Sequence, residues 1–362
     1  MRVAFFMSLT LLLTGCGGGP SSSGSVQPPA TGPSLKLEIV ASVPAASGAA
    51  PSCDDTQALG LATGASPPIA ASSAGEVFVP AFCQDTQVSL VGAIRRIATD
   101  GRITTFALGN TAGAGELLNS YLDPKSLALD ASGNLLVSDG DTFYGGTGDV
   151  TRVDPGRGPG VWRIDPQGNV RRLAGVVQPM QYGAGTVDGS ADEVVFSYMS
   201  TMCAGSDGAA YVEGGYVRRI TTDGRVSTVM NDQGKPLGAL LSCGAGGLVL
   251  AQEQIQDAQG AAVNRLLDVV AGRVLWTSTD TLTSTLVVGA TADFVVAFNR
   301  SAGNFKLLDI ALGTEADVQV ELPAGQTTVP AIQTAYMADS HHMYFVSSDL
   351  IWRATLNYGD GR

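Results

Sequence analysis

LDPKSLALDASGNLLVSDG, residues 122–140, and GVWRIDPQGNVRRLAG, residues 160–175, decide the fold of this chain. Each stretch contains two short apolar runs joined by a turn rich in Asp, Asn and Gly. Apolar runs of this length, bounded by turn residues, are typical of paired antiparallel strands rather than of a helix. The two stretches together therefore predict one small four-stranded β-sheet.

The same unit recurs on both sides of these hairpins. One copy covers residues 196–230, and an earlier copy covers residues 68–80 and 91–106. Glycines stand where a two-strand turn requires positive φ or close backbone approach, at Gly133, Gly168, Gly208 and Gly224. A small sheet with two apolar faces cannot bury both faces alone, so the units are expected to stack radially on one another.

These segments resemble the blades of NHL-repeat β-propellers. That family's pattern is Pro, an apolar strand, Asp-x-x-Gly-Asn, a second strand and Ala/Ser-Asp, then Arg-Ile, a turn with Gly, and Leu-Ala-Gly. The match is closest at residues 122–175. Between blades the family tends to carry Gly, Asp-Gly and Phe, and the same types stand here in order as Gly183, Gly185, Asp188, Gly189 and Phe196. The resemblance implies a propeller domain over residues 35–362.

Beyond residue 231 only strand patterning remains. Three further units are predicted at residues 239–277, 284–312 and 332–356, so the fold class is all-β with six blades, and five or seven are the alternatives. The last unit lacks a fourth strand. Residues 35–42, LKLEIVAS, have a strand pattern and are expected to supply it, which would close the ring and remove an open edge. The alternative is a peripheral strand with no part in closure.

The first residues predict export and lipid attachment. Residues 1–15 begin with Met1 and Arg2 and continue with an apolar run that is too short to span a bilayer, as in a signal peptide. The run ends in Leu-Thr-Gly-Cys, which is similar to the lipobox of bacterial lipoproteins, and in that family the cysteine matching Cys16 is acylated. The alternative is an ordinary secretory signal with a chance cysteine.

Residues 16–34 are predicted to be a tether, because Gly, Ser and Pro dominate them and they cannot bury enough apolar surface to fold. Gly17 follows the cysteine where Asp would signal retention in an inner membrane. The expected location is therefore the bacterial cell envelope, lipid-anchored, with the outer membrane favoured, on its periplasmic side or its surface.

Charge excludes one class of partner. The chain has 21 Lys and Arg against 33 Asp and Glu, a net charge of -12, and no basic run interleaved with aromatic residues. Nucleic acid is therefore not an expected partner, since phosphate contacts need a positive surface.

Four cysteines besides Cys16 remain in a chain predicted to reach an oxidising compartment, where disulfides form. Counting leaves three connectivities open, and buried free thiols are the alternative. The blade assignment favours two pairs. Cys53 and Cys83 fall on loops of one face of the first blade, and Cys203 and Cys243 fall on equivalent first strands of neighbouring blades.

A binding face is predicted from unequal loop lengths. Loops between blades and between second and third strands share one face of a propeller, and the long loops fall there. The candidate binding rim is Asp139, Asp141, Tyr144, Asp149, Arg152, Tyr182 and Asp188. Clustered Asp oxygens suggest calcium as the one possible cofactor. The alternative is a solvated glycine-rich insertion with internal ion pairs.

Catalysis has little support. The only histidines, His341 and His342, are adjacent at a predicted turn on the opposite face, and no G-x-S-x-G or CxxC motif occurs. The leading hypothesis is a noncatalytic envelope module that presents the long-loop face to a protein, peptide or glycan. One alternative is a calcium-dependent enzyme of the lactonase or lyase type acting at the central channel, and the resemblance allows it because some six-bladed propellers related to this family perform such chemistry. The other alternative is a purely structural envelope component.

Overall fold

The structure is a computed structural model, and the part of the chain it describes is built of short β-strands. It describes residues 32–42, 52–54, 61–62, 67–84, 90–108, 124–139, 160–175, 187–194, 196, 199–256, 259–278, 285–347 and 350–359. Within those ranges, no helix has the length and apolar character that crossing a membrane would require.

Six sheets, named blades I to VI in chain order, form the domain. The strand β1 (Ser34–Ser42) precedes them in sequence. Blade I contains β2 (Leu61–Ala62), β3 (Ala70–Ala71), β4 (Val77–Gln84), β5 (Leu90–Ile97) and β6 (Ile103–Leu108). Blade II contains β7 (Pro124–Leu129), β8 (Leu135–Asp139), β9 (Gly160–Ile164) and β10 (Val170–Ala174). Blade III contains β11 (Met202–Ala204), β12 (Ala210–Glu213), β13 (Val217–Ile220) and β14 (Val226–Thr228).

The second half of the chain repeats the arrangement. Blade IV contains β15 (Ala239–Gly244), a 3-10 turn at Ala245–Gly247, β16 (Leu248–Gln256), β17 (Ala262–Asp268) and β18 (Arg273–Ser278). Blade V contains β19 (Thr285–Ala290), β20 (Phe294–Asn299), β21 (Asn304–Asp309) and β22 (Thr314–Asp317). Blade VI contains β23 (Gln319–Glu321), β24 (Thr334–Met337), β25 (His342–Ser347) and β26 (Leu350–Asn357). The predicted six-bladed β-propeller is confirmed, including the three blades predicted from patterning alone.

The amino-terminal strand closes the ring, as predicted. β1 lies between β26, with which it pairs antiparallel, and β23, with which it pairs parallel. Leu35 and Leu37 point into the core and are each 1% exposed. On the other face of β1, Glu38 accepts hydrogen bonds from the Arg353 guanidinium of β26. Closure therefore joins backbone pairing, core packing and an ion pair.

An aspartate stabilises the turn of the hairpins that carry the Asp-x-x-Gly-Asn motif. Asp130 Oδ1 accepts the backbone N–H groups of Ser132 and Asn134, each at 2.9 Å, around Gly133, whose φ is 76°. Arg163, from the Trp-Arg-Ile strand, donates to the same carboxylate at 2.8 Å. The equivalent arginine of blade III, Arg219, reaches Asp207 at 2.8 Å. In blade II the Asp of Asp-x-x-Gly-Asn and the Arg of Arg-Ile therefore form one ion pair, and blade III has an ion pair between the equivalent Arg and a neighbouring turn Asp.

The turn glycines adopt the predicted conformation. The φ angles are 76° at Gly133, 87° at Gly168, 78° at Gly208 and 87° at Gly224. A side chain with a Cβ is disfavoured at positive φ, so glycine is the residue these turns require.

Candidate functional site

The two faces of the propeller differ in the loops that they carry. We call the end bearing the turns between first and second strands, and between third and fourth strands, the short-turn face. The opposite end, which bears the other loops, is the long-loop face. Of the predicted rim, Asp139 and Asp188 lie within the described residues. Asp141, Tyr144, Asp149, Arg152 and Tyr182 lie outside them.

The inner strands of the blades approach one another closely around the axis. They are the first strands of the six blades, β3, β7, β11, β15, β19 and β24, and their described residues are buried or partly buried. Tyr336 of blade VI reaches across to blade II, where its hydroxyl oxygen accepts the N–H of Leu129 at 3.0 Å. Burial raises the pKa of Tyr336 to about 12, so the hydroxyl stays protonated at neutral pH.

Neighbouring inner strands also contact each other closely. Met202 donates its N–H to the Ser126 hydroxyl at 3.0 Å, which joins blades II and III. A Cβ added at Gly289 of blade V would lie 2.6 Å from the Met337 sulfur of blade VI. The inner strands of neighbouring blades therefore pack directly against one another.

Both predicted disulfides are present. Cys203 and Cys243 link the inner strands of blades III and IV, with their Cα atoms 5.3 Å apart. Cys53 and Cys83 are linked with a Cα separation of 4.9 Å. Cys83 lies within β4 rather than in the loop after it. The buried Arg95 guanidinium donates to the Cys53 carbonyl, so the bridge also fixes the segment that leads into blade I.

Two carboxylates occupy equivalent places at the long-loop face. Asp139 ends β8 and is 2% exposed, and Glu213 ends β12 of the next blade. Glu213 accepts the N–H of Leu240, on the inner strand of blade IV, at 3.0 Å. Sequence reasoning missed Glu213, although Val-Glu-Gly at 212–214 stands where Ser-Asp-Gly stands at 138–140. That correspondence between blades was the available signal.

Asp188 connects the segment before blade III to that blade's outer strands. Its carboxylate accepts the N–H of Thr228 at 2.7 Å and the Thr228 hydroxyl at 2.8 Å. Arg218, whose side chain is fully buried, donates to the same oxygen at 3.0 Å and to the Val187 carbonyl at 2.7 Å. A ligand at Asp188 would therefore compete with these internal bonds.

The histidines lie at the turn between β24 and β25, on the short-turn face as predicted. His342 Nδ1 is 2.9 Å from the Asp339 carboxylate, and His341 Nδ1 is 3.1 Å from the Leu356 carbonyl. The Nδ1 atom of each histidine thus has a partner within its own blade. Within the described ranges, no three His, Cys, Asp or Glu side chains are grouped so as to hold a metal ion.

Comparison with known proteins shows similarity in fold. No protein-family model matches the chain, and no curated protein matches it. A streptogramin B lyase structure is 12% identical, covers 89% of this chain and 98% of its own, and has a TM-score of 0.42. The PQQ-bound aldose sugar dehydrogenase of Streptomyces coelicolor is 12% identical, with coverages of 91% and 100% and a TM-score of 0.46.

A gluconolactonase from Xanthomonas campestris is 12% identical, covers 87% of this chain and 100% of its own, and has a TM-score of 0.42. At such identities likeness concerns the fold and not the activity. The sheet topology of the described residues establishes independently that this chain is a six-bladed β-propeller closed by its amino-terminal strand.

Proposed function

We propose that this protein is a bacterial NHL-repeat-type lipoprotein, anchored to the outer membrane by lipid on Cys16. In this proposal the propeller is a noncatalytic binding module, and its long-loop face recognises an envelope protein, peptide or glycan. The calcium-dependent lactonase or lyase is the competing function, and the experiment below separates the two.

The close packing of the inner strands is the observation that supports the binding proposal. An enzyme working in the central channel needs a cavity and converging polar groups beside the reacting atoms. Here Tyr336, Met202 and Met337 of the inner strands are each less than a tenth exposed, and each lies against a neighbouring part of the ring. Long loops at the rim of a rigid scaffold usually carry binding, and the proposal assigns recognition to them.

The two disulfides support export. Disulfides persist in secreted and periplasmic compartments and are rare in the cytosol. Cys53–Cys83 and Cys203–Cys243 use every cysteine of the chain except Cys16. The cysteine left over is the one in the lipobox-like sequence, as acylation requires.

Replacing Cys16 by serine tests the anchor. We expect the variant to leave the membrane fraction or to accumulate as uncleaved precursor, because the thiol that carries the lipid is gone and one or more acyl chains provide the membrane affinity. Detergent phase partitioning with metabolic fatty-acid labelling measures this. Serine at Cys53 and Cys83 together is the matched control, which should retain the lipid label. Unchanged partitioning of the Cys16 variant would exclude the lipoprotein assignment.

Shortening one loop tests binding. Asp139 and Gly160 are direct cross-strand partners of β8 and β9, so a two-residue Asn-Gly turn can replace the segment between them without moving either strand. We expect the shortened protein to lose about tenfold or more in affinity for isolated cell envelopes, roughly the 1.4 kcal/mol of one good contact. Cosedimentation with native and protease-treated envelopes measures the affinity and separates protein from glycan ligands.

The control is Gln167→Arg, an exposed substitution on the short-turn face, which should bind as the parent does. Equal binding by the shortened and parent proteins would contradict the proposed face. Turnover of a panel of small lactones that requires calcium and is abolished by a chelator would establish the competing enzymatic function instead.

A further inference from the structure

The place where the chain enters the propeller is defined by three contacts. Ser34, the first residue of β1, is paired with Asn357 of β26 and with Gln319 of β23. Just before it, the Pro33 carbonyl accepts the N–H of Gln319 at 3.0 Å. The last residue of β1, Ser42, is paired with Leu350 at the other end of β26. The chain therefore arrives at the Asn357 end of blade VI.

That end belongs to the short-turn face. Leu356, next to Asn357, donates its N–H to the His341 carbonyl at 2.7 Å, and His341 lies in the turn between β24 and β25. The Tyr358 hydroxyl donates to the Ser340 carbonyl of the same turn. Leu350 begins β26 immediately after the connection from β25, which is a long-loop-face connection. β1 thus runs from the short-turn face toward the long-loop face.

We infer that the lipid anchor leaves the propeller from the short-turn face, so that the long-loop face points away from the membrane that holds the lipid. This inference rests on the proposed anchoring at Cys16. The partner of the long-loop face is then a molecule in the aqueous compartment on the side of the propeller away from the membrane. It is not a lipid of the leaflet that holds the anchor. The orientation follows from where β1 enters the propeller, and not from the long loops.

Chain length makes the opposite orientation costly. Residues 16–33 span at most about 60 Å when fully extended, at roughly 3.3 Å per residue. To turn the long-loop face toward the bilayer, the same segment would have to pass along the length of blade VI. β26 has 8 residues, and at roughly 3.3 Å per residue it is about 26 Å long. That passage would consume nearly half of the available length.

Resonance energy transfer from a donor dye on the protein to an acceptor dye on the membrane measures which face of the propeller lies nearer the bilayer. The mature chain, residues 16–362, with Cys16→Ser and a histidine tag before it, is bound to zwitterionic vesicles that contain nickel-chelating lipid and an acceptor dye on the headgroups. A donor dye is placed on Ser132→Cys, an exposed turn residue of the short-turn face, or on Gln233→Cys, in the exposed connection from blade III to blade IV. We expect about twofold or more faster transfer from Ser132, because the faces are roughly 26 Å apart.

Two relocated anchors complete the test. A histidine tag after Arg362 follows β26 on the short-turn face and should preserve the order of the two transfer rates. A tag inserted after Gly260, in the β16–β17 connection of the long-loop face, should invert it. Equal rates for both donors with the amino-terminal tag, or faster transfer from Gln233, would overturn the inference. Because the tag replaces the lipid, this outcome is independent of whether Cys16 is acylated.

Discussion

Replacing Leu37 by alanine is expected to lower the free energy of unfolding by about 2 to 5 kcal/mol. Leu37 is 1% exposed and packs in one core cluster with Trp352 and Phe345 of blade VI. The substitution removes buried apolar atoms and leaves a cavity in the blade that closes the ring. Urea denaturation measured by tryptophan fluorescence gives the difference in free energy.

Ile39→Ala is the matched control on the same strand. Ile39 is 46% exposed, so its truncation should change stability by roughly 0.5 kcal/mol or less. Deleting residues 35–42 entirely should remove cooperative folding, because β26 and β23 would both present unpaired edges. Trimming residues 17–31 should leave the midpoint of unfolding unchanged. Equal midpoints for the two deletions, or equal losses for Leu37→Ala and Ile39→Ala, would contradict closure by β1.

Gly247→Ala is expected to cost several kcal/mol, more than most point substitutions. A Cβ at Gly247 would lie 2.8 Å from the Ser206 Cα and 2.9 Å from the Gly205 carbonyl carbon, and closer still to the Ser206 nitrogen. These are backbone atoms of blade III, and Gly247 belongs to the first turn of blade IV. The Ser206 N–H also donates to the Gly247 carbonyl at 2.9 Å. Relief of the overlap would break this bond and separate two blades.

Gly246→Ala provides the control for the backbone conformation. Gly246 and Gly247 have φ values of 70° and 77°, so alanine is similarly disfavoured at either residue. No heavy atom lies within 4 Å of a Cβ at Gly246. Its substitution should therefore cost only about 1 kcal/mol, the strain of a left-handed alanine. A similar melting temperature for both variants, measured by calorimetry, would show that the blades do not meet as closely as the structure indicates.

Local chemistry was sufficient to predict the blades. Asp130, Gly133 and their counterparts form turns from residues within five positions of each other, so a turn is visible in the sequence wherever these types occur together. Once the blades were placed, the topology of a closed ring required a partner for β26, and the strand pattern at residues 35–42 supplied it. The Cys203–Cys243 pair followed in the same way, because equivalent strands of adjacent blades are neighbours. The Cys53–Cys83 pair followed from two segments assigned to one face of the first blade.

The tertiary structure alone decided how the inner strands contact one another and which partners the rim residues have. Tyr336 and Leu129 are separated by 207 residues, and their hydrogen bond exists only because six blades bring two inner strands together. Asp188 was predicted as a rim residue from its loop, yet its carboxylate engages Arg218 from 30 residues away. Periodicity and turn composition report neighbours along the chain, and carry no information on which side chains meet across a ring. Local sequence therefore determined what each blade is, and packing between blades determined which side chains meet across the ring.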